Sequence, residues 1–227
     1  MQLRFLGHAC FEVGVGGKRL LFDPFLSGNP LAPVAPDQLD VDYILLTHGH
    51  GDHVGDTIAI ARRTGAIVIA PFELASYCRQ QGANVHEMHI GGAFMFPFGR
   101  VKLTPAWHGS AVVTDEQIIY TGNPCGYLIE AEGKVLYNAG DTGLFGDMRL
   151  IGERHRIDVA LLPIGDNFTM GPDDAAYAAR LLRARTVIPM HYDTFERIKQ
   201  DPERFAAALR PEGIAVQILR PGETFTL

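Results

Sequence analysis

The segment at residues 47–53, which reads THGHGDH, places three imidazoles and one carboxylate within six residues. Neutral imidazole and carboxylate are good ligands for zinc and related divalent ions. Crowding these polar groups together is energetically unfavourable unless they bind an ion. His48 and His50 are two positions apart, so in an extended turn their side chains point to the same side. Asp52 and His53 follow the bend and can face a second position. The motif therefore predicts a metal site that supplies four donors.

Three further candidate ligands, His108, Asp141 and His191, each follow an apolar strand. Loops at strand ends on a common rim are where functional sites are usually built. Singly, each has a structural alternative, because a lone histidine in such a place is more often a satisfied polar residue and aspartate is common in turns. Together they bring the donor total to the six or seven that two ions usually need, so ligation is the better interpretation.

Three more side chains are candidates for roles beside the metals. His8 follows the first strand and is either a substrate-side proton donor or a buried structural histidine. Asn167 either donates to a substrate oxygen or serves a local turn. Asp23 is a ligand, a turn cap or, as we prefer, an acceptor for a ligand histidine.

Other polar and aromatic residues are expected to be structural. His155 is expected at the surface without a partner, and Trp107 in the core or in a pocket wall. Two long loops, 25–38 and 109–124, are expected either to cover the site or an oligomer contact, or to pack on the outside of the fold.

The composition is that of an ordinary globular chain. Its 227 residues are 47% hydrophobic and 20% charged, which suits one domain over residues 1–227. The net charge of −6 disfavours long nucleic acids and anionic membranes. It does not exclude a small anionic substrate, because a metal supplies local positive charge. We expect no membrane span and no signal peptide, and the three widely spaced cysteines predict a reducing, cytoplasmic setting.

Strand-like and helix-like stretches alternate along the chain. The predicted strands are Leu3–Leu6, Cys10–Val15, Arg19–Phe22, Val41–Leu46, Ala66–Ala70, Phe94–Phe96, Val101–Pro105, Tyr127–Ala131, Val135–Asn138, Asp158–Leu162, Thr186–Pro189 and Ala215–Leu219. The predicted helices are Val54–Arg63, Pro71–Gln81, Pro172–Ala184 and Pro202–Leu209. Hairpin-like strands precede strand–helix units in both halves. This order favours an α/β (α+β) fold of two packed sheets with helices outside over one doubly wound sheet.

The His-x-His-x-Asp-His signature resembles that of the metallo-β-lactamase superfamily, and the three later donors match its ligand positions in order. The resemblance implies a four-layer αββα sandwich with two metals at one edge of the sheets. The implied ligands are His48, His50 and His108 for the first ion, Asp52, His53 and His191 for the second, and Asp141 for both.

Almost the whole chain is similar to small bacterial and archaeal metal-dependent hydrolases, whose relatives include L-ascorbate-6-phosphate lactonase and the N-acylphosphatidylethanolamine phospholipase D group. The segments that carry the similarity are 7–9, 23–26, 47–53, 140–145, 162–165, 167–172 and 189–192. One departure is visible at residue 166, where Asp166 replaces the second glycine of the usual Gly-Gly-Asn and adds a charge near the rim.

The resemblance implies a hydrolase with two divalent ions, Zn²⁺ or alternatively Mn²⁺, that uses a metal-bound hydroxide on an ester, lactone or phosphoester of a small molecule. The resemblance leaves both phosphorylated and unphosphorylated small molecules open as substrates, and a homo-oligomer would be unsurprising. Asp52 is the expected catalytic ligand, with help from His8 or Asn167 in stabilising the developing negative oxygen. Two other functions stay open, a phosphodiesterase or nuclease of the same superfamily and a non-catalytic metal-binding scaffold. A diiron redox enzyme is disfavoured, because His50 stands where that type has glutamate.

Overall fold

The computed structural model describes residues 1–227, which form sixteen strands and six helices. The strands are β1 (Gln2–Phe5), β2 (Phe11–Val15), β3 (Lys18–Phe22), β4 (Tyr43–Leu45), β5 (Ile67–Pro71), β6 (Asn84–Met88), β7 (Ala93–Phe96), β8 (Gly99–Pro105), β9 (Ala111–Val113), β10 (Ile118–Tyr120), β11 (Cys125–Ala131), β12 (Lys134–Asn138), β13 (Val159–Pro163), β14 (Thr186–Met190), β15 (Ala215–Val216) and β16 (Thr224–Thr226). The helices are α1 (Gly51–Val54), α2 (Thr57–Thr64), α3 (Phe72–Gln80), α4 (Met148–Arg154), α5 (Pro172–Leu182) and α6 (Pro202–Leu209). None of them has both the length and the apolar composition needed to cross a membrane.

Two seven-stranded sheets are built on the same plan. In the first, β1, β2 and β3 pair antiparallel and β4, β5 and β6 then add in parallel, while β16 returns to pair with β1. In the second, β7, β8, β11 and β12 pair antiparallel and β13, β14 and β15 add in parallel. Strands β9 and β10 form a separate hairpin. Parallel strands need a crossover connection, and helices supply several of these crossovers.

Three buried apolar layers separate four layers of secondary structure. A cluster of 26 buried residues, including Phe22 and Tyr127, lies between the sheets. A cluster of 18 packs α2 and α3 on the first sheet, and a cluster of 20 packs α4, α5 and α6 on the second. Strand β13 is buried at every position because both of its faces are covered. The predicted αββα sandwich is therefore confirmed.

The topology brings the candidate ligands to one edge. Strands β4, β12 and β14 each pair in parallel with a neighbouring strand. The segment that follows the carboxyl end of each strand carries predicted ligands. The segment after β4 holds the 47–53 motif, the segment after β12 holds Asp141, and His191 directly follows β14. Both sheets therefore end in ligand-bearing turns.

The predicted helix Val54–Arg63 is confirmed from Thr57 onward but begins too early, because the structure has two helices, α1 and α2, with a break at Gly55. Gly55 has φ +38°, and a Cβ there would lie against Pro24 O and 2.9 Å from Phe25 Cα. The break lets Asp56 N donate to Pro24 O at 2.9 Å. A tertiary contact thus ends the first turn of helix just after the metal motif.

Other differences lie at short or exposed elements. The predicted strand Ala215–Leu219 is shorter, at Ala215–Val216, and the helix predicted from Pro71 begins at Phe72 because Pro71 completes β5. Strands β6, β9, β10 and β16 and helix α4 were not predicted. The other predicted elements are confirmed within a few residues at each end.

We expect Gly55→Ala to lower the free energy of unfolding of the metal-free chain by roughly 1–3 kcal/mol, because alanine is strained at this φ and its methyl group meets backbone. Gly146→Ala is the control, since nothing lies within 4 Å of its added Cβ, and should change stability by no more than about 0.5 kcal/mol. Urea unfolding measures both. Equal stability of the two variants would contradict this account of the break.

Candidate metal centre

Three histidine nitrogens form the first group of converging donors. His48 Nε2 lies 3.0 Å from His50 Nδ1, and His108 Nε2 lies 3.2 Å from the same atom. One ring nitrogen cannot donate to both neighbours. Nitrogens that bind one tetrahedral zinc at its usual bond length lie about 3.3 Å apart. The spacing therefore fits three ligands of a common ion.

A second group lies beside the first. His8, Asp52, His53 and His191 each offer one donor atom within 4.8 Å of the others. Asp52 and His53 are neighbours on α1, so the bend after His50 separates the two halves of the motif. His191 comes from the opposite sheet, and the group therefore joins both sheets.

The Asp141 carboxylate lies between the two groups. Its Oδ2 is 3.0 Å from His191 Nε2 and 3.3 Å from His53 Nε2, and it is 3.7 Å from His108 Nε2 and 3.9 Å from His48 Nε2. Asp141 is the single carboxylate that approaches histidines of both groups this closely.

Several buried donor atoms have no hydrogen-bond partner: His53 Nε2, Asp141 Oδ1, and both ring nitrogens of His191. The short distances from Asp141 to His53 and His191 do not have hydrogen-bond geometry. Leaving a buried polar atom unsatisfied costs about 1–3 kcal/mol. His53 Nε2 and His191 Nε2 both lie close to the Asp141 carboxylate, and this grouping of unpaired N and O donors fits divalent metal ligation.

Burial governs the protonation of the first group. It lowers the pKa of His50 and His108 and holds the pKa of His48 well below its ordinary value. The rings are therefore neutral near pH 7, and neutral imidazole is the form that binds metals.

Charge pairing governs the second group. Burial disfavours the charge on His53, but Asp141 and Asp23 outweigh it and hold the pKa of His53 well above its ordinary value. Burial likewise opposes ionisation of Asp141, and His191 and His53 outweigh it, so the pKa of Asp141 lies well below its usual range. Asp52 also has a lowered pKa, because the hydrogen bond from His8 and nearby histidines outweigh its desolvation. Both carboxylates are thus anionic and ready to bind a cation.

Asp23 orients ligands of both groups, as preferred from the sequence. Its Oδ1 accepts from Thr47 N at 2.9 Å, and its Oδ2 accepts from Thr47 Oγ1 at 2.7 Å and from His53 Nδ1 at 2.9 Å. Because the Thr47 hydroxyl proton goes to Asp23, its oxygen accepts from His48 Nδ1 at 2.9 Å. The Nε2 atoms of His48 and His53 are left facing the site.

His8 lies behind Asp52 and not on the cavity surface. It is fully buried, with φ +58°. Its Nε2 is 3.1 Å from Asp52 Oδ2, its Nδ1 is 2.9 Å from Thr194 Oγ1, and its carbonyl accepts from His191 N at 2.8 Å. Burial lowers the pKa of His8 to about 4, so the ring is neutral. This position suits the structural alternative and not direct contact with substrate.

Four other residues that were singled out from the sequence lie outside the groups of donors. Asn167 is exposed, with φ +49°, and does not line the cavity at the site. Asp166 has φ +59°, a conformation that glycine adopts freely and aspartate tolerates, and its side chain accepts from Asn167 N at 2.9 Å. Trp107 is 71% exposed and does not line the cavity at the site, so the predicted position in the core or in the wall of that cavity is wrong. His155 is also not free, because its Nδ1 is 3.0 Å from Glu130 Oε1.

A cavity of about 600 Å³ opens onto the donors. Five candidate ligands line it, and Phe168, Phe195, Glu196 and Arg197 form the rest of its lining. The five are His50, Asp52, His108, Asp141 and His191. Neither long loop named from the sequence lines it. These wall residues were not predicted from the sequence, although three of them follow His191 within six positions.

The chain resembles known proteins over its full length. Residues 18–192 match the family described as Beta-lactamase superfamily domain. A UPF0173 metal-dependent hydrolase of Geobacillus is 57% identical over 228 residues, with 100% of both chains covered. A solved metallo hydrolase from the archaeon Ignicoccus hospitalis is 38% identical with a TM-score of 0.90, covering 100% of this chain and 98% of that one. An isothiocyanate hydrolase from Delia radicum gut bacteria has a TM-score of 0.80 at 22% identity, covering 100% and 99%, which is a likeness of fold alone.

We expect Asp23→Asn to weaken zinc binding by about 10- to 100-fold, because the amide cannot accept from Thr47 and His53 as the carboxylate does. Competition against a zinc chelator measures the affinity. Asp40→Asn, at a 75% exposed side chain, is the matched control and should bind zinc as the wild type does. Wild-type affinity in a correctly folded Asp23→Asn would show that this carboxylate does not orient ligands.

Proposed function

Because this chain belongs to the beta-lactamase superfamily as one of its metal-dependent hydrolases, we propose that it holds two divalent ions and hydrolyses an ester, lactone or phosphoester of a small molecule. The observation that carries the proposal is the convergence of seven histidine and aspartate donors, several with buried atoms that lack partners. A closed structural zinc site typically has cysteine ligands, and all three cysteines lie elsewhere, buried in the fold.

The proposed ligand assignment follows the two groups of donors. The ligands are His48, His50 and His108 for one ion, Asp52, His53 and His191 for the other, and Asp141 for both. Imidazole and carboxylate suit Zn²⁺, which we propose as the metal, and Mn²⁺ accepts the same donors.

When bound, two divalent ions lower the pKa of a water molecule and stabilise the negative charge that develops on the substrate. The chain's own residues set this chemistry up. Asp52 is kept anionic and is fixed by His8, which is in turn fixed by Thr194. His8 is therefore proposed as a positioning residue for Asp52.

The reaction needs no nucleophilic side chain. The three cysteines are buried, and burial raises the pKa of Cys78 to about 12 and holds those of Cys10 and Cys125 well above the ordinary value. None is a thiolate near pH 7. Free buried thiols also support our proposal of a cytoplasmic, reducing setting.

We further propose that Asn167 meets the substrate at the rim, since its neighbour Phe168 lines the cavity.

The 26-residue cluster draws on strands from both ends of the chain, which supports residues 1–227 as one domain. The net charge of −6 weighs against a nuclease acting on long chains. The complete donor set weighs against a scaffold without activity.

We expect EDTA to abolish hydrolysis of the best substrate from a panel of lactones, carboxylic esters and phosphodiesters, and Zn²⁺ or Mn²⁺ to restore it. Asp52→Ala should lower kcat/KM by roughly 100-fold or more, because a ligand and its charge are lost. Asp40→Ala, at an exposed site, should leave kcat/KM unchanged. Undiminished turnover by a verified metal-free sample would overturn the metal mechanism, and full activity of Asp52→Ala would overturn its assigned role.

A further inference from the structure

We propose that Arg197 makes the cavity selective for substrates that carry an anionic group, a carboxylate or a phosphate, apart from the bond that is hydrolysed. This inference rests on the proposed function, because it names the substrate class of the same site. It starts from a charged side chain that the metal chemistry does not use.

Arg197 is the one cationic side chain in the cavity lining, and it forms no ion pair within the chain. The other charged lining residues are carboxylates. Asp52 and Asp141 face the metal centre, and Glu196 is paired with Lys199 at 2.6 Å. The guanidinium is therefore left without a partner beside a site that would hold two divalent cations.

This placement attracts an anion. Arg197 is exposed, so its charge is hydrated in the open cavity, and it adds to the positive potential beside the metal centre. A carboxylate or phosphate on the substrate would accept two parallel hydrogen bonds from the planar guanidinium.

The backbone that carries Arg197 is held in place. Residues Glu196–Ile198 form a short 3₁₀ turn, and Ile198 is fully buried. Ile198 N donates to Phe195 O at 3.0 Å, and Ile198 O accepts from Asp193 N at 2.9 Å. The same segment begins at His191, so the backbone that carries the guanidinium is held close in the chain to a candidate metal ligand.

Two aromatic side chains limit what lies between the anion and the reacting bond. Phe168 and Phe195 line the cavity and are 50% and 40% exposed. Exposed rings beside a cavity favour contact with carbon and not with water. The substrate class is therefore a small acyl or phosphoryl compound with a short apolar stretch that ends in an anion.

Binding to the zinc-loaded protein tests the inference without turnover. The probes are hexanoate, adipate and 5-phosphonopentanoate, which share one carboxylate and a chain of equal length and differ at the far end. We expect calorimetry on the wild type to give roughly 10-fold or tighter binding of adipate or 5-phosphonopentanoate than of hexanoate, the gain of a charged hydrogen-bonded pair. Whichever of the two loses more affinity in Arg197→Ala identifies a carboxylate or a phosphate as the anion that Arg197 prefers.

Arg197→Ala should remove this preference, and Arg197→Lys should keep part of it. Arg156→Ala is the matched control, since Arg156 is exposed, has no ion pair and lies outside the cavity. Its preference should equal that of the wild type. The inference is overturned if the wild type binds all three probes alike or not at all, or if Arg197→Ala keeps the wild-type ratio.

Hydrolysis separates this inference from the proposed function. The ratio of kcat/KM for monophenyl adipate to that for phenyl hexanoate should be roughly 10 in the wild type and fall toward 1 in Arg197→Ala. A wild type that cleaves both esters equally contradicts the role of Arg197 and leaves the hydrolase intact. If a wild type prefers the anionic probes in calorimetry and cleaves no ester, lactone or phosphoester, the role of Arg197 stands and the proposed function fails.

Discussion

The buried concentration of imidazole and carboxylate at one edge of the two sheets is the constraint on which the rest of the structure depends. His48, His53 and Asp141 have little or no access to water, and donor atoms of His53 and Asp141 lack partners. Burying such groups is costly unless they are paired or bind a metal. The fold tolerates them because a large apolar core fixes the strands from which they project.

The cost is also visible in the backbone. His8, Asp23 and His191 have φ of +58°, +41° and +55°, backbone conformations that residues other than glycine rarely adopt. Each costs of the order of 1–3 kcal/mol and persists only where surrounding contacts enforce it. Here those contacts are the hydrogen bonds of Asp23 to Thr47 and His53 and the bond from His191 N to His8 O. Three of the eight residues other than glycine that have a positive φ therefore lie at the candidate metal centre.

The metal ligands could largely be predicted from the local sequence, and the residues of the cavity wall could not. The 47–53 motif and the strand-end donors could be identified because metal ligation demands particular side chains, and apolar strands are visible as runs. The break at Gly55 could not, since it depends on the distant carbonyl of Pro24. The position of Arg197 in the cavity also depends on tertiary packing, because the neighbouring Ile198 is buried and local sequence does not specify what buries it.

The central claim is that the two groups of donors bind two ions with Asp141 between them. An anomalous scattering map from crystals of the zinc-loaded protein, with elemental analysis of the same sample, tests this most directly. The account predicts two zinc ions per chain, one beside His48, His50 and His108 and one beside Asp52, His53 and His191. A single ion, or ions bound away from these side chains, would contradict it.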